Sequence, residues 1–215
     1  MRIIDHDNPI YREQWQRKGR DKYNGAYYYS KEIVEKIIPK IRTDRDWVTI
    51  NNYTDCHNGA IVFIHNNKNP ENYRWLEKYD DLILVCGVKD TMEKVKHLGK
   101  PIYLPLSVDV SYVEMFRAPK KREVAYVGRT EKTRGTSLPT GVYCISGIGR
   151  GALLKEMAKC RKVYAVGRTA IEAKILGCQV LAYDPRYPDP SVWKVLDCSE
   201  AAKILQRELD KIDGV

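Results

Sequence analysis

Long apolar runs are missing from this chain. Nothing approaches the roughly 20 consecutive apolar residues that a membrane-spanning helix needs, so no membrane span is expected. The amino-terminal stretch Met1 to Trp15 carries Asp5 and Asp7 and has no apolar core. It does not read as a secretory signal, and a cytoplasmic location is the expectation. Histidine is scarce, at four residues, and the six cysteines (Cys56, Cys86, Cys144, Cys160, Cys178, Cys198) form no Cys-x-x-Cys pair. No histidine stands at ligand spacing from a cysteine, which argues against a zinc site and for free thiols in a reducing compartment. There is no internal repeat and no low-complexity segment. The charged fraction of 30% is spread along the chain and interleaved with 43% hydrophobic residues, so disorder is not expected.

What is present is a basic chain of 215 residues with a formal charge of +9. Such a balance attracts anions, whether phosphorylated small molecules, nucleic acid or an acidic surface. From Trp47 onward, strand-like and helix-like segments alternate. Trp47 to Asn51, Ala60 to His65 and Asp81 to Gly87 read as strands, the last two almost wholly apolar. Asn69 to Tyr79 reads as a helix with Asn69 as its cap and Pro70 in its first turn. A second helix ends at Gly99, which suits a C-cap. Earlier, Ser30 is expected to cap a helix carrying Ile33, Ile37 and Ile38 on one face. After the basic stretch Ala118 to Arg122 come further strands at Glu123 to Arg129, Val142 to Ile148, Lys162 to Gly167 and Gln179 to Asp184, the last of them buried. Helices lie between the later strands, and Ser199 is expected to cap a terminal helix. Apolar strands alternating with helices predict an α/β fold with parallel sheets covered on both faces. Two small Rossmann-like halves are expected, residues 1–118 and 119–215.

The most informative stretch is Val163 to Asp184. A strand there ends in Gly167-Arg168-Thr169 and a helix begins at once. Such a turn presents free N–H groups and the positive end of a helix dipole at the carboxyl edge of a sheet. Gly167 would let a phosphate approach the backbone, Arg168 would add a fixed positive fork, and Thr169 would add a hydroxyl. Glu172, one turn on, would accept the hydroxyls of a ribose. The same residues also allow a purely structural arrangement in which Arg168 pairs with Glu172.

The run Glu172-Ala173-Lys174-Ile175-Leu176-Gly177-Cys178-Gln179-Val180 resembles the donor-nucleotide segment of GT-B glycosyltransferases of the family-4 type. A second block, Tyr103 to Gly135, is similar to the junction of those enzymes, with Val108-Asp109, Gly128-Arg129 and Arg134-Gly135 at the matching places. The two blocks occur in the family's order and cover about a third of the chain. The resemblance implies a trimmed GT-B-like protein whose two halves face a cleft. By that resemblance, Gly128, Arg129 and Arg134, with Lys132 as a nearby substitute, would hold the donor diphosphate beside Gly167, Arg168, Thr169 and Glu172. The chain departs from the family at Tyr164, where many retaining members carry an earlier glutamate. Both halves are also shorter than usual.

Three functions follow as expectations. The first is a glycosyltransferase-like protein of phage or bacterial type. It would move a sugar from a nucleotide-diphosphate donor to an acceptor the sequence does not identify, with no cofactor or metal required, and with His65 or Asp109 as base if the sugar inverts. Asp109 also reads as a simple helix cap. The second is a non-catalytic nucleotide-binding protein, a sensor or sequestering protein of the same fold. The third is a nucleic-acid-binding or nucleic-acid-modifying protein, drawn from the basic balance and the fifteen tyrosines. Oligomeric state is not legible.

Overall fold

Ile61–Ile64 and Ile83–Cys86 are apolar at every position, and strands without a polar face must be covered on both sides. The computed structural model, which describes residues 3–4, 25–49, 56–64, 70–129, 136 and 138–214, places both in the middle of a parallel sheet. The chain divides into two units, Met1–Pro105 with Cys198–Val215, and Leu106–Asp197.

In the first unit β1 (Ile3–Ile4), β2 (Trp47–Val48), β3 (Ile61–Ile64), β4 (Ile83–Cys86) and β5 (Lys100–Tyr103) lie side by side in chain order, all parallel. Val62, Ile64, Leu84 and Cys86 form one core cluster with Tyr73, Leu76 and Val95. Trp47 stacks on Phe63 with ring centroids 6.0 Å apart.

Helix α1 spans Gly25–Glu32 and continues through a π-helical turn, Ile33–Ile37, into a 3-10 turn, Ile38–Lys40. Ser30 was expected to cap this helix and instead lies inside it. It is fully buried, and its hydroxyl is 2.7 Å from that of Thr49, so each satisfies the other. Pro70–Lys78 is a 3-10 helix where an α-helix was expected. With three residues per turn, Tyr73 and Leu76 fall on one line, and both are buried. Asn69 lies outside the described residues. Helix α2 (Lys89–Val95) and a 3-10 turn (Lys96–Leu98) lead to Gly99. Its backbone is extended, so the glycine is needed for closeness and not for handedness. A Cβ there would lie 2.6 Å from the Leu82 carbonyl oxygen.

The second unit opens with α3 (Val110–Glu114) and β6 (Arg122–Val127). Then follow β7 (Tyr143–Ile145), α4 (Arg150–Ala158), β8 (Cys160–Tyr164), α5 (Arg168–Ile175) and β9 (Gln179–Leu181). Its sheet is parallel in the order β7-β6-β8-β9. Strand β9 was expected to be buried, yet it is the sheet's edge and is exposed or half-buried at each residue. The basic stretch before β6 is more than a linker. Lys120 Nζ donates to the carbonyls of Ala158 (2.9 Å) and Leu176 (2.8 Å), and Arg117 Nε to that of Ile175 (3.0 Å). These cations satisfy orphan carbonyls where α4 and α5 end, and they complement the negative ends of both dipoles.

The chain then returns to the first unit through α6 (Cys198–Asp213), which begins one residue before Ser199. Its buried Ala201, Ala202, Leu205 and Leu209 recur at helical spacing, and the helix packs on the Ile33–Ile37 turn and β5. Arg45 ties it down, reaching Asp213 at 3.1 Å and Asp81 at 3.0 Å. The chain therefore passes between the units twice, at Pro105/Leu106 and at Asp197/Cys198, where the sequence reading has a single boundary after residue 118. All six cysteines are free, and only Cys144 is exposed. Burial pushes the Cys56 thiol up to about 11 and the Cys86 thiol up to about 12, so both stay protonated at neutral pH. No helix among the described residues is long and apolar enough to cross a membrane.

The Gly99 contact makes the fold testable. Gly99→Ala drives a methyl into the backbone at the start of β4. It is expected to destabilise the protein by about 1–3 kcal/mol, the usual range for overpacking, read as a lower urea midpoint at unchanged slope.

Candidate functional site

In the second sheet the chain leaves β6 toward β7 on one side, while it leaves β8 toward β9 on the other. Adjacent strands whose exits diverge leave a crevice at their carboxyl ends, and open α/β sheets bind ligands there. The register Tyr126↔Tyr164 brings the ends of β6 and β8 level. Gly128 and Arg129 follow β6, and Gly167, Arg168 and Thr169 follow β8, so five of the expected site residues sit at this edge.

Gly167 is the N-cap of α5 at φ +62° and ψ −138°, backbone that a residue with a side chain rarely adopts. Arg168 and Thr169 are the first two residues of the helix, so their N–H groups have no intrahelical acceptor. Gly128, at φ +156°, also has backbone that favours glycine, and a Cβ there would in addition lie 2.7 Å from the Tyr126 hydroxyl. That hydroxyl donates to the Arg129 carbonyl at 2.8 Å and pins the exit of β6. Burial raises the hydroxyl's pKa, so it remains a protonated donor.

The charged centre is Glu172. Its Oε1 lies 2.9 Å from Arg168 Nε and 2.9 Å from Arg150 Nη2. The carboxylate side chain is 5% exposed and each arginine side chain 9%. Arg150 is the first residue of α4, and its guanidinium lies over the Tyr112 ring, 5.0 Å from the centroid. One carboxylate thus joins the starts of two helices, each with the positive end of its dipole at the carboxyl edge. The Arg168–Glu172 pairing that the sequence allowed is present, and Arg150 joins it.

Arg150 was not among the residues picked from the sequence. Its signal in the sequence is a short recurrence. Val127-Gly128-Arg129, Ile148-Gly149-Arg150 and Val166-Gly167-Arg168 are three copies of an apolar-Gly-Arg triplet. They follow β6, β7 and β8 respectively.

The other expected residues fall differently. Asp109 is the N-cap of α3, accepting from Tyr112 N–H at 3.1 Å. His65, Lys132 and Arg134 lie outside the described residues. Tyr164, at the place of the family's earlier glutamate, belongs to an aromatic cluster at the same edge. Tyr183 packs edge-on against Tyr126 (5.4 Å between centroids) and Tyr164 (6.2 Å), and Tyr187 lies 5.7 Å from Tyr183. Buried Asp184 holds Arg186 beside this cluster, accepting from its Nε at 2.8 Å and from its backbone N–H at 2.8 Å. Among the described residues no group of three His, Cys, Asp or Glu side chains is placed to hold a metal ion.

No family model, curated protein or solved structure matches this chain. The site therefore stands on its own geometry. Helix starts, arginine forks and a strand exit requiring glycine form an edge suited to an anion with several oxygens.

The buried charge centre carries its own prediction. Glu172→Gln removes the carboxylate that two buried guanidiniums share. Breaking such a group from one side typically costs about 3–5 kcal/mol, so chemical denaturation of this variant is expected to show a loss of that order.

Proposed function

We propose that the second unit binds the diphosphate of a nucleotide-sugar at the carboxyl edge of its sheet, and that the protein is a glycosyltransferase-like enzyme acting on that donor. The observation that carries the reading is the apolar-Gly-Arg triplet at the exits of β6, β7 and β8. Positive charge and backbone N–H groups recur where an open parallel sheet takes its ligands.

In this reading Arg168 and Arg150, with the first-turn N–H groups of α5 and α4, face the two phosphates. Arg129 approaches from the exit of β6. Sugar transfer leaves a nucleoside diphosphate, and the protein's part is to stabilise the charge that develops on it with donors fixed in advance. Glu172 acts by positioning. It fixes two guanidiniums through Oε1, and its near-complete burial argues for this role over a direct contact with the ribose. His65 remains the candidate base for an inverting reaction. The acceptor is outside this reading, and no resident cofactor or metal enters it.

A specific observation favours a second reading, in which the nucleotide is bound and not turned over. Asp109, one of the two candidate bases, is engaged as a helix cap, and the chain has Tyr164 where the resemblance would place a further glutamate. Under that reading the protein is a sensor or sequestering protein, and the binding edge is the same.

The test is a thermal-shift series with UDP-, GDP- and ADP-linked sugars. A ligand at a hundredfold excess over its Kd adds about 2.7 kcal/mol of stability, which one of these donors is expected to supply to the wild type. Arg168→Lys and Arg150→Lys keep a charge for Glu172 and lose the planar fork, so both are expected to lose most of the shift. Release of nucleoside diphosphate on incubation then supports the enzyme, and binding without release supports the binder. No shift with any donor, or full shifts in both variants, contradicts the site.

A further inference from the structure

The first unit carries a separate concentration of positive charge. Where the Ile38–Lys40 turn and the residues after it run beside α6, a groove of about 680 Å³ is lined by Lys40, Arg42, Lys203 and Arg207, together with Ser199 and Gln206. Glu200 is the one acidic residue in the lining, so four cations face one carboxylate. Lys203 and Arg207 stand four residues apart on one face of α6, about 6 Å along the helix axis. Lys40 and Arg42 form the opposite wall. Hydrogen bonds fix the two walls to each other. Lys40 Nζ donates to Ser199 Oγ at 2.7 Å, the Arg42 N–H donates to Gln206 Oε1 at 2.6 Å, and Gln206 Nε2 donates to the Arg42 carbonyl at 3.2 Å. The groove is therefore held in shape, while its four cationic residues are exposed to solvent.

We propose that this groove binds the phosphodiester backbone of a nucleic acid. The character of the lining selects this partner. The cations are exposed and arranged along two walls, which suits a chain of phosphates followed through its charge; a single phosphate would be expected in a closed, buried fork. The lining offers no exposed apolar side chain to insert into a bilayer, since its one hydrophobic member, Ala202, is buried. It also offers no aromatic ring on which to stack a base, so binding is indifferent to sequence and sensitive to salt. The inference does not depend on the nucleotide site, which lies in the other unit.

The experiment is fluorescence polarisation of the full-length chain with fluorescein-labelled single-stranded and duplex 20-mers of DNA, from 50 to 200 mM salt. Four phosphate contacts on a duplex give a slope of about −3.6 in log K against log salt, a loss of roughly two orders of magnitude over that range. The paired variant Lys203→Glu/Arg207→Glu alters two exposed helix positions. It is expected to weaken binding at least tenfold and to flatten the slope by about half. Lys203→Arg/Arg207→Lys is expected to restore wild-type affinity. Lys94→Glu/Lys96→Glu applies the same charge change to exposed residues outside this groove and is expected to have a much smaller effect. Equal losses in the groove variant and in this control would overturn the proposal, because general charge would then explain the binding. No oligonucleotide binding at 50 mM salt overturns it outright. So does groove-dependent binding of phosphatidylserine vesicles, or of an acidic protein, without binding of the oligonucleotides.

Discussion

Much of the second unit's arrangement depends on a single buried carboxylate. Glu172 sits between Arg150 and Arg168, at 2.9 Å from each, with hardly any solvent around the three side chains. Removing a carboxylate and two guanidiniums from water is costly, and such a group offers little net stability compared with apolar packing. Its effect is geometric. By bridging the first residue of α4 to the first turn of α5, it sets the starts of two helices against one another. The other ends of the same helices are met by Lys120 and Arg117, whose cations reach the carbonyls of Ala158, Leu176 and Ile175. Each helix is thus held electrostatically at both ends, with its positive end at the carboxyl edge of the sheet.

Strand order gives that edge its meaning. Had β6 to β9 been laid down in chain order, the strand exits would all have run one way, with no crevice between them. The order β7-β6-β8-β9 parts the exits of β6 and β8. Both glycines there have positive φ, Gly167 as the cap of α5, and Gly128 besides leaves room for the Tyr126 hydroxyl. Among the described residues the first sheet has its strands in simple succession and shows no such parting, and its concentration of charge lies instead beside α6.

Fold class was legible because its signal is local. Ile61–Ile64 and Ile83–Cys86 are apolar throughout, and the Gly-Arg-Thr turn before α5 falls where the pattern put it. What escaped were features fixed by contacts distant in sequence. Ser30 reads as a cap, but Thr49, nineteen residues away, draws it inside the helix. The long 3-10 helix Pro70–Lys78 follows from burying Tyr73 and Leu76 on one line, which periodicity alone does not separate from an α-helix. The return of α6 to the first unit rests on pairs such as Arg45 with Asp213, separated by 168 residues. At the site, Gly167 and Arg168 were readable from the strand–turn–helix pattern. Arg150 was not, because four residues of loop separate it from β7 and its partner Glu172 lies on another helix. Its trace in the sequence is the middle copy of a three-residue motif, which gains meaning only from the strand exits it follows.

The central claim is that the starts of α4 and α5 receive the phosphates of a nucleotide. Hydrogen–deuterium exchange with and without a saturating nucleoside diphosphate addresses it most directly, since first-turn amides exchange freely unless something accepts their hydrogen bonds. The account predicts slowed exchange of the amides of Arg150–Ala152 and of Arg168 and Thr169 when the ligand is bound. Bound nucleotide that leaves both segments unchanged, or protects only the first unit, would contradict it.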